Sequence, residues 1–253
     1  MTPESPPGAV ARIEIDKAAF ANGWRIEEGV TSGWIRRRSA SAPGRVAIAT
    51  AGPAGPWFVA VDHPGVAQEL DLPVAELPGP GVARFRVADT AALHDALSRI
   101  WDLAVALPDH PLRQYQRETA ALPRGTEAER LVIQRKGQDI FRASLMAYWS
   151  GCCPLTGITD SALLRASHMK PWADCESDAE RLDPYNGLLL SALWDAAFDE
   201  GLVTFDDEGR AHMVSELSDA AVSAFGEPPL LSLTDQHRHY LAWHRDKVFV
   251  DGL

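Results

Sequence analysis

The chain has 253 residues, of which 46% are hydrophobic and 23% charged, values typical of one large or two small globular domains. The formal net charge of −11 argues against a protein that coats nucleic acid non-specifically. No apolar run reaches the roughly 18 residues of a membrane span, and the first eight residues lack the pattern of a signal peptide. We therefore expect a cytoplasmic protein with no membrane partner.

Residues 9–108 predict a small β-rich domain closed by one helix. Alternating or β-branched runs between Pro- and Gly-rich connectors predict strands at 11–16, 34–38, 45–50, 57–62 and 83–87. Asp89 or Thr90 then caps a helix, whose apolar residues keep helical spacing up to Pro108.

The next stretch, 109–125, contains prolines and charges and is interpreted as a linker with a short candidate helix over 112–121. A longer helix is predicted from Thr126 to Tyr148, because Thr126 and Glu129 have the spacing of a capping box. Gly137 interrupts this pattern and is a candidate boundary between two helices. Residues 126–253 are predicted to form the second domain.

Three cysteines, Cys152, Cys153 and Cys175, are too few and too badly spaced for a disulfide framework. Their spacing also fails for a structural zinc site, which uses two pairs of Cys or His ligands. We expect reduced thiols and no structural zinc.

From Cys153 onward the sequence has the order strand, His, loop, Asn, strand, helix, which predicts a compact ββα unit at about 153–206. Phosphodiester hydrolysis needs a base for water, and a histidine near its free pKa suits that role. It also needs a positive charge near the phosphate, and a divalent ion held by one or two carboxylates supplies it. This unit contains His168, Asn186, Asp195 and Asp199, which is a minimal set for single-metal hydrolysis.

Four motifs in this region occur in a fixed order: GQDIFR (137–142), CPLTG (153–157), SHMKPW (167–172) and NGLLL (186–190). Together they resemble the HNH endonuclease family, in its restriction-type bacterial branch, over about residues 135–206. The resemblance implies a ββα-metal fold. It also implies that His168 is the general base and that Asn186 tethers the loop that orients it.

The resemblance places the last signature position, usually a metal-binding His, on Asp195, with Asp199 one helical turn later as a further ligand candidate. A carboxylate suits Mg²⁺ or Mn²⁺ well. Many relatives have a metal-binding carboxylate directly before the first His, and here that residue is Ser167. The ligand set therefore stays open between Asp195 alone and Asp195 with Asp199.

Basic residues around the motif are candidate DNA contacts. In the second domain these are Arg142, Arg165 and Lys170. In the first domain, Arg36, Arg37 and Arg38 follow an aromatic residue and could lie against a phosphate backbone. The alternative for these three is a solvated arginine edge that prevents strand-to-strand aggregation.

The sequence as a whole predicts an α+β protein: a β-rich N-terminal domain that recognises DNA, a helical segment, and a ββα-metal nuclease domain. The predicted function is metal-dependent hydrolysis of double-stranded DNA, in restriction of foreign or modified DNA. A homodimer is a candidate assembly, because cutting both strands usually takes two active sites. The alternative is a non-catalytic DNA- or partner-binding protein that retains the ββα shape.

Overall fold

The computed structural model describes residues 2–249. The chain divides into two compact units, 1–110 and 111–253, and each is described separately. Within the described residues, no helix is both long enough and apolar enough to cross a bilayer.

The first unit contains one antiparallel sheet in the order β1-β2-β3-β4-β5, with helices between and after its strands. Its elements are α1 (Ala9–Ala21), β1 (Ile26–Thr31), β2 (Trp34–Arg38), β3 (Arg45–Thr50), β4 (Trp57–Val61), α2 (Pro64–Glu69), β5 (Ala83–Val87) and α3 (Thr90–Ala106). The four strands predicted from residue 34 onward are confirmed, as is the helix after Asp89, whose side chain caps it by accepting from Ala92 N.

One face of this sheet carries the main core. Ile35, Ile48, Val59 and Phe85 lie opposite one another in register and therefore share a face. Helices α1 and α3 pack against the strands and against each other. The buried side chains between the helices and the sheet exclude water, so this face forms the hydrophobic core of the unit.

The opposite face is only partly covered. A smaller apolar cluster contains Trp34, Ala49, Phe58 and Ala75, with Leu77 packed against it. The indole N–H of Trp34 donates to the Pro78 carbonyl at 3.3 Å, which fixes the connector before β5 over this end of the sheet. Towards the other end of the same face, Ala47 and Ala60 belong to this buried cluster, and Arg36 and Arg38 are exposed.

The strand predicted at 11–16 is wrong, because these residues lie inside helix α1. The alternation of Ile13 and Ile15 resembled a strand, but the buried positions Ala11, Ile15, Ala18 and Ala19 follow helical spacing. Strand β1 and helix α2 had no corresponding prediction from the sequence. The first unit is consequently more helical than the predicted β-rich domain with one helix.

The second unit begins with two helices, α4 (Asp109–Thr119, whose first residues precede the unit boundary) and α5 (Glu127–Tyr148). The predicted capping box of α5 is confirmed: Thr126 Oγ1 accepts from Glu129 N, and the Glu129 carboxylate accepts from Thr126 N. The predicted break at Gly137 is wrong, because α5 is continuous there. A Cβ at this position would overlap the ring of Trp172, so the glycine allows close packing of that indole.

The rest of the unit contains the ββα segment and a C-terminal helical region. Its elements are β6 (Leu164–His168), α6 (Asp178–Arg181), β7 (Gly187–Ser191), α7 (Ala192–Asp199), β8 (Val203–Phe205), β9 (Ala211–Met213), α8 (Asp219–Phe225) and α9 (Asp235–Lys247). The predicted hairpin–helix order is confirmed, and the chain has the expected mixed α+β fold. The three cysteines are free thiols, as expected.

Candidate active site

The hairpin of β6 and β7 forms the frame of the site, with His168 directly opposite Gly187. Gly187 is extended rather than turned, so the Asn-Gly pair here is not a tight turn. A Cβ on Gly187 would lie 2.5 Å from Phe141 and 2.7 Å from Leu145 of helix α5. The absent side chain therefore lets the hairpin approach α5 closely, at the end where His168 is located.

The His168 imidazole is held in one orientation by three groups. It stacks on Phe141, with ring centroids 3.7 Å apart, and Trp172 meets it edge-on at 5.8 Å. Its Nε2–H donates to the Arg181 carbonyl at 2.9 Å. A carbonyl oxygen can only accept, so this bond places the proton on Nε2 and leaves the lone pair on Nδ1.

Burial also sets the protonation state of His168. Desolvation lowers the pKa of the ring from its ordinary value near 6.5 to about 4, although the bond to the Arg181 carbonyl opposes the shift. The ring is thus neutral at pH 7. Since no described residue bonds to Nδ1, this nitrogen is available to accept a proton.

Asn186 is fully buried and holds together the loop that follows His168. Its Oδ1 accepts from the Lys170 amide at 2.8 Å. Its Nδ2 lies 3.1 Å from the Lys170 carbonyl, 3.3 Å from the Glu180 carbonyl and 3.4 Å from the Cys175 sulfur. One amide group therefore connects both ends of the 170–180 loop, and Arg181 follows directly.

The side chains of Lys170 and Arg181 hold the same loop in place. Lys170 Nζ lies 2.7 Å from Glu180 Oε1, and that hydrogen bond raises the pKa of the lysine. Arg181 donates from Nη2 to the Cys175 carbonyl at 2.6 Å and from Nε to the Trp172 carbonyl at 3.1 Å. The Arg181 carbonyl, which orients His168, is thus held in place by the bonds of the Arg181 side chain.

The two candidate metal ligands lie on helix α7. Asp195 Oδ1 accepts from the buried Ser167 hydroxyl at 2.5 Å. Asp199 follows one turn later at an exposed position. Partial desolvation, with the negative charges of Asp195 and Glu200, raises the pKa of Asp199 to about 6. Two carboxylates with mutual repulsion are a favourable place for a cation.

His168 and Asp199 line one cleft of about 340 Å³, together with Trp172 and His244. Asp195 is not among the lining residues. Neighbouring residues of a strand point to opposite faces, so Ser167, which binds Asp195, points away from the side of His168. Among residues 2–249, no three His, Cys, Asp or Glu side chains gather in a way that could hold a metal ion.

The basic candidates near the cleft have intramolecular partners. Arg142 donates to the Leu164 carbonyl at 2.8 Å and the Ser161 carbonyl at 2.7 Å. The exposed Arg165 donates to two carbonyls of its own turn. Lys170 pairs with Glu180. Arg142 and Lys170 therefore stabilise the loops on either side of β6.

In the first unit, Arg36, Arg37 and Arg38 do not act as one group. Arg37 is buried on the core face and ion-pairs with Asp16 and Glu27. Arg36 and Arg38 are exposed on the other face. The alternative of a protective arginine edge is wrong, because β2 lies between β1 and β3 and is not an edge strand.

Sequence patterns gave no indication of two residues of the site, Arg181 and His244. Arg181 acts through its backbone carbonyl, which any residue type could supply. His244 of α9 reaches the cleft from more than seventy positions downstream of His168, outside every motif. Neither residue has a local sequence signal.

The segment is a β-hairpin that presents a neutral histidine, followed directly by a helix with two carboxylates. The sequence profile of the HNH endonuclease family matches residues 153–206, about a fifth of the chain. These residues are therefore similar to an HNH endonuclease domain, and nucleases of this family generally use a divalent metal ion and act on DNA. No curated protein matches the chain significantly.

Proposed function

We propose that this protein is a metal-dependent DNA endonuclease in which His168 is the general base. The observation that carries the proposal is the bond from His168 Nε2–H to the Arg181 carbonyl, which leaves Nδ1 unprotonated in an open cleft. In the proposed step, a water O–H bond breaks and its proton moves to Nδ1. The water oxygen bonds to phosphorus as the bond to the leaving oxygen breaks.

Asn186 is a positioning residue in this proposal. It bonds to the Glu180 carbonyl, and the next carbonyl along the chain, that of Arg181, orients His168. The same amide group holds Lys170, two residues after His168. Asn186 thus acts on the base from both sides of the loop, without touching the substrate.

The carboxylates of α7 fit a divalent ion such as Mg²⁺ or Mn²⁺. Mg²⁺ commonly binds one or two carboxylates and keeps several waters, so a third protein ligand is not required. Asp199 is the first candidate because it lines the cleft, and partial desolvation together with the charge of Asp195 raises its pKa. Asp195 is the second, at the other end of the Ser167 bond. A bound ion would neutralise charge on the scissile phosphate.

The pairing of a separate N-terminal unit with an HNH segment supports a role in restriction of foreign or modified DNA. A homodimer is proposed because cutting both strands usually takes two active sites. A cytoplasmic location belongs to the same proposal. The first unit is the proposed DNA-recognition domain.

A non-catalytic binding protein is the second candidate function. Ser167 favours it, because this side chain binds Asp195 at a position where many HNH relatives have a metal-binding carboxylate. The two functions differ in one measurable property, which is hydrolysis of DNA.

Cleavage of supercoiled plasmid separates these functions. Wild type, His168→Ala and the control His239→Ala are compared in Mg²⁺, in Mn²⁺ and in EDTA. His239 is an exposed histidine of the same unit outside the cleft. We expect metal-dependent cutting by wild type and His239→Ala, and loss of cutting in His168→Ala. No cutting in any metal, or equal cutting by all three proteins, would contradict the proposal. Parallel assays on modified and unmodified plasmid test the restriction role separately.

A further inference from the structure

The open face of the N-terminal sheet carries a row of four residues directly opposite one another. Arg36 of β2 pairs with Ala47, Ala47 with Ala60, and Ala60 with Arg84 of β5. Opposite residues in a sheet share a face, so two arginines stand at the ends of the row with two methyl groups between them. Both alanines are buried, so the arginines are the part of the row that a ligand can contact.

This row borders a cleft of about 270 Å³. Ala47 and Ala60 form its floor, Arg36 and Arg45 line it from the strands, and the Pro80–Gly81 connector closes one side. Ala47 and Ala60 beneath the cleft are only 4% and 1% exposed, and Gly81 of the connector packs against the Val61 backbone. A ligand would therefore contact the arginine side chains around the cleft and not the strand backbone.

The charges around the cleft are predominantly positive. Arg36 has no ion-pair partner among the residues that the structure describes. Arg38 and Arg45 share one carboxylate, Glu28, at 3.2 and 2.7 Å. Both keep much of their surface, with side chains 45% and 58% exposed. The remaining carboxylate, Asp62, also lines the cleft; it accepts from the backbone amide of Arg45 at 2.6 Å and lies 3.8 Å from the Arg45 guanidinium.

Arg84 adds a fourth cation that no carboxylate neutralises in the described part of the chain. Arg84 is only partly exposed and does not line the cleft: its Nη1 lies 3.3–3.4 Å from the carbonyls of Gly79, Pro80 and Gly81, and its Nε is buried without a hydrogen-bond partner. Four arginines therefore face two carboxylates, in a chain whose net charge is −11. Positive charge concentrated against the overall sign indicates an anionic ligand.

We propose that this face, defined by Arg36, Arg38, Arg45 and Arg84, binds the phosphate backbone of duplex DNA. The proposal rests on the proposed function for its choice of DNA as the anion. Three strand spacings separate Arg36 from Arg84, or about 14 Å, which is roughly four nucleotides of axial rise. Arg36, Arg38 and Arg45 are exposed on this face, and guanidinium groups can bind phosphate oxygens in pairs. Arg37, on the core face, takes no part.

Binding of a fluorescent duplex to the full-length protein, measured by anisotropy in EDTA over a range of salt concentrations, tests this surface. The variants are Arg36→Gln, Arg36→Lys, the double variant Arg36→Gln/Arg38→Gln, and the control Arg25→Gln. Arg25 is an exposed arginine of the same unit that lies outside the sheet. Circular dichroism checks that each variant folds.

We expect Arg36→Gln to weaken binding several-fold and to reduce the slope of log K against log salt by about 0.9, the value for one lost phosphate contact. Arg36→Lys should keep the slope, and the double variant should lose about twice as much. Arg25→Gln should match wild type. The proposal is overturned if no duplex binds, or if Arg36→Gln and Arg25→Gln have the same affinity and slope.

This result is separable from that of the plasmid assay, because binding in EDTA requires no hydrolysis. Arg36-dependent binding without cutting would refute the nuclease proposal and leave the binding surface in place. Cutting that His168→Ala abolishes, together with unchanged binding in Arg36→Gln, would refute the surface alone.

Discussion

His168 and His244 line the same cleft from two regions of the second unit, the β6 strand and helix α9, and these regions are built alike. Each ring lies flat on a phenylalanine, His168 on Phe141 at 3.7 Å and His244 on Phe198 at 3.8 Å. Each Nε2–H donates to a backbone carbonyl, at 2.9 and 3.0 Å. Desolvation lowers the pKa of both rings to about 4.

The difference lies in the second nitrogen. Nδ1 of His244 accepts from the Thr204 hydroxyl at 3.0 Å, and the residue is 1% exposed. Nδ1 of His168 has no partner among the described residues, and its ring is less completely buried. The same stacking, carbonyl bond and lowered pKa therefore accompany a structural histidine in one region and a candidate base in the other. A lowered pKa therefore does not distinguish the two histidines, whereas the unoccupied Nδ1 does, and it makes His168 the candidate base.

The largest expected effect is on the rate of cleavage. His168→Gln keeps a donor for the Arg181 carbonyl but removes the base, so we expect the rate to fall about 10²–10⁴-fold with a small change in Tm. His244→Gln should lower Tm clearly and the rate less than tenfold after correction for the folded fraction. Plasmid cleavage and thermal unfolding of both variants measure this. The comparison fails if the two variants lose equal activity per folded molecule.

Acid stability is the next largest effect, and it involves the buried His237 as well. The pKa of each of the three histidines is about 4 in the folded protein, against about 6.5 when unfolded. Below pH 6.5 the unfolded state therefore binds more protons, so stability falls as the pH decreases towards 4. Each ring should contribute a loss of roughly 2 kcal/mol between pH 7 and 5.

Urea denaturation at several pH values measures this loss. His244→Gln should show a shallower decrease than wild type, because one of the three rings is gone. His239→Ala, in which an exposed histidine is replaced, should have the wild-type slope. Equal slopes for all three proteins would mean that His244 is not held neutral in the folded state.

Asn186→Ala should separate positioning from chemistry. The substitution leaves the buried Lys170 amide and the Glu180 carbonyl without their partner, so we expect a destabilisation of about 3 kcal/mol. The cleavage rate of the folded protein should also fall, because the Arg181 carbonyl is no longer fixed. Urea denaturation and cleavage by the folded fraction give the two values. A stable Asn186→Ala protein with wild-type activity would show that the loop is held by Lys170–Glu180 and Arg181 alone.

The order of elements in the second unit could be predicted from sequence, because it depends on local signals. The capping box of α5 and the hydrophobic run 188–190 each predict their element within a few residues. The strand predicted at 11–16 failed for a related reason. Over six residues, alternation and helical spacing both fit Ala11 and Ile15, and only the longer window to Ala19 distinguishes them.

The arrangement of the site could be predicted only in part. Motifs singled out His168 and Asn186, and the structure shows one loop that connects them. Sequence motifs could not show that the backbone carbonyl of Arg181 fixes the tautomer of His168, since every residue type has a backbone carbonyl. Nor could sequence motifs show that Arg37 is buried while Arg36 is exposed. Arg37 is buried against its ion-pair partner Asp16, and Asp16 lies in helix α1, where a strand had been predicted.

Ser167→Ala should have the smallest effect, and it tests how the two faces of β6 are linked. Loss of the hydroxyl removes one hydrogen bond to the partly exposed Asp195, which water can replace, so we expect about 1 kcal/mol of destabilisation. The control Ser191→Ala changes a buried serine whose side chain does not cap α7. If Asp195 binds the metal, Ser167→Ala should shift the Mg²⁺ concentration for half-maximal cleavage, and Ser191→Ala should not. If both variants keep the wild-type Mg²⁺ dependence, Asp195 is a structural partner of Ser167, and Asp199 in the His168 cleft is the remaining carboxylate of the pair.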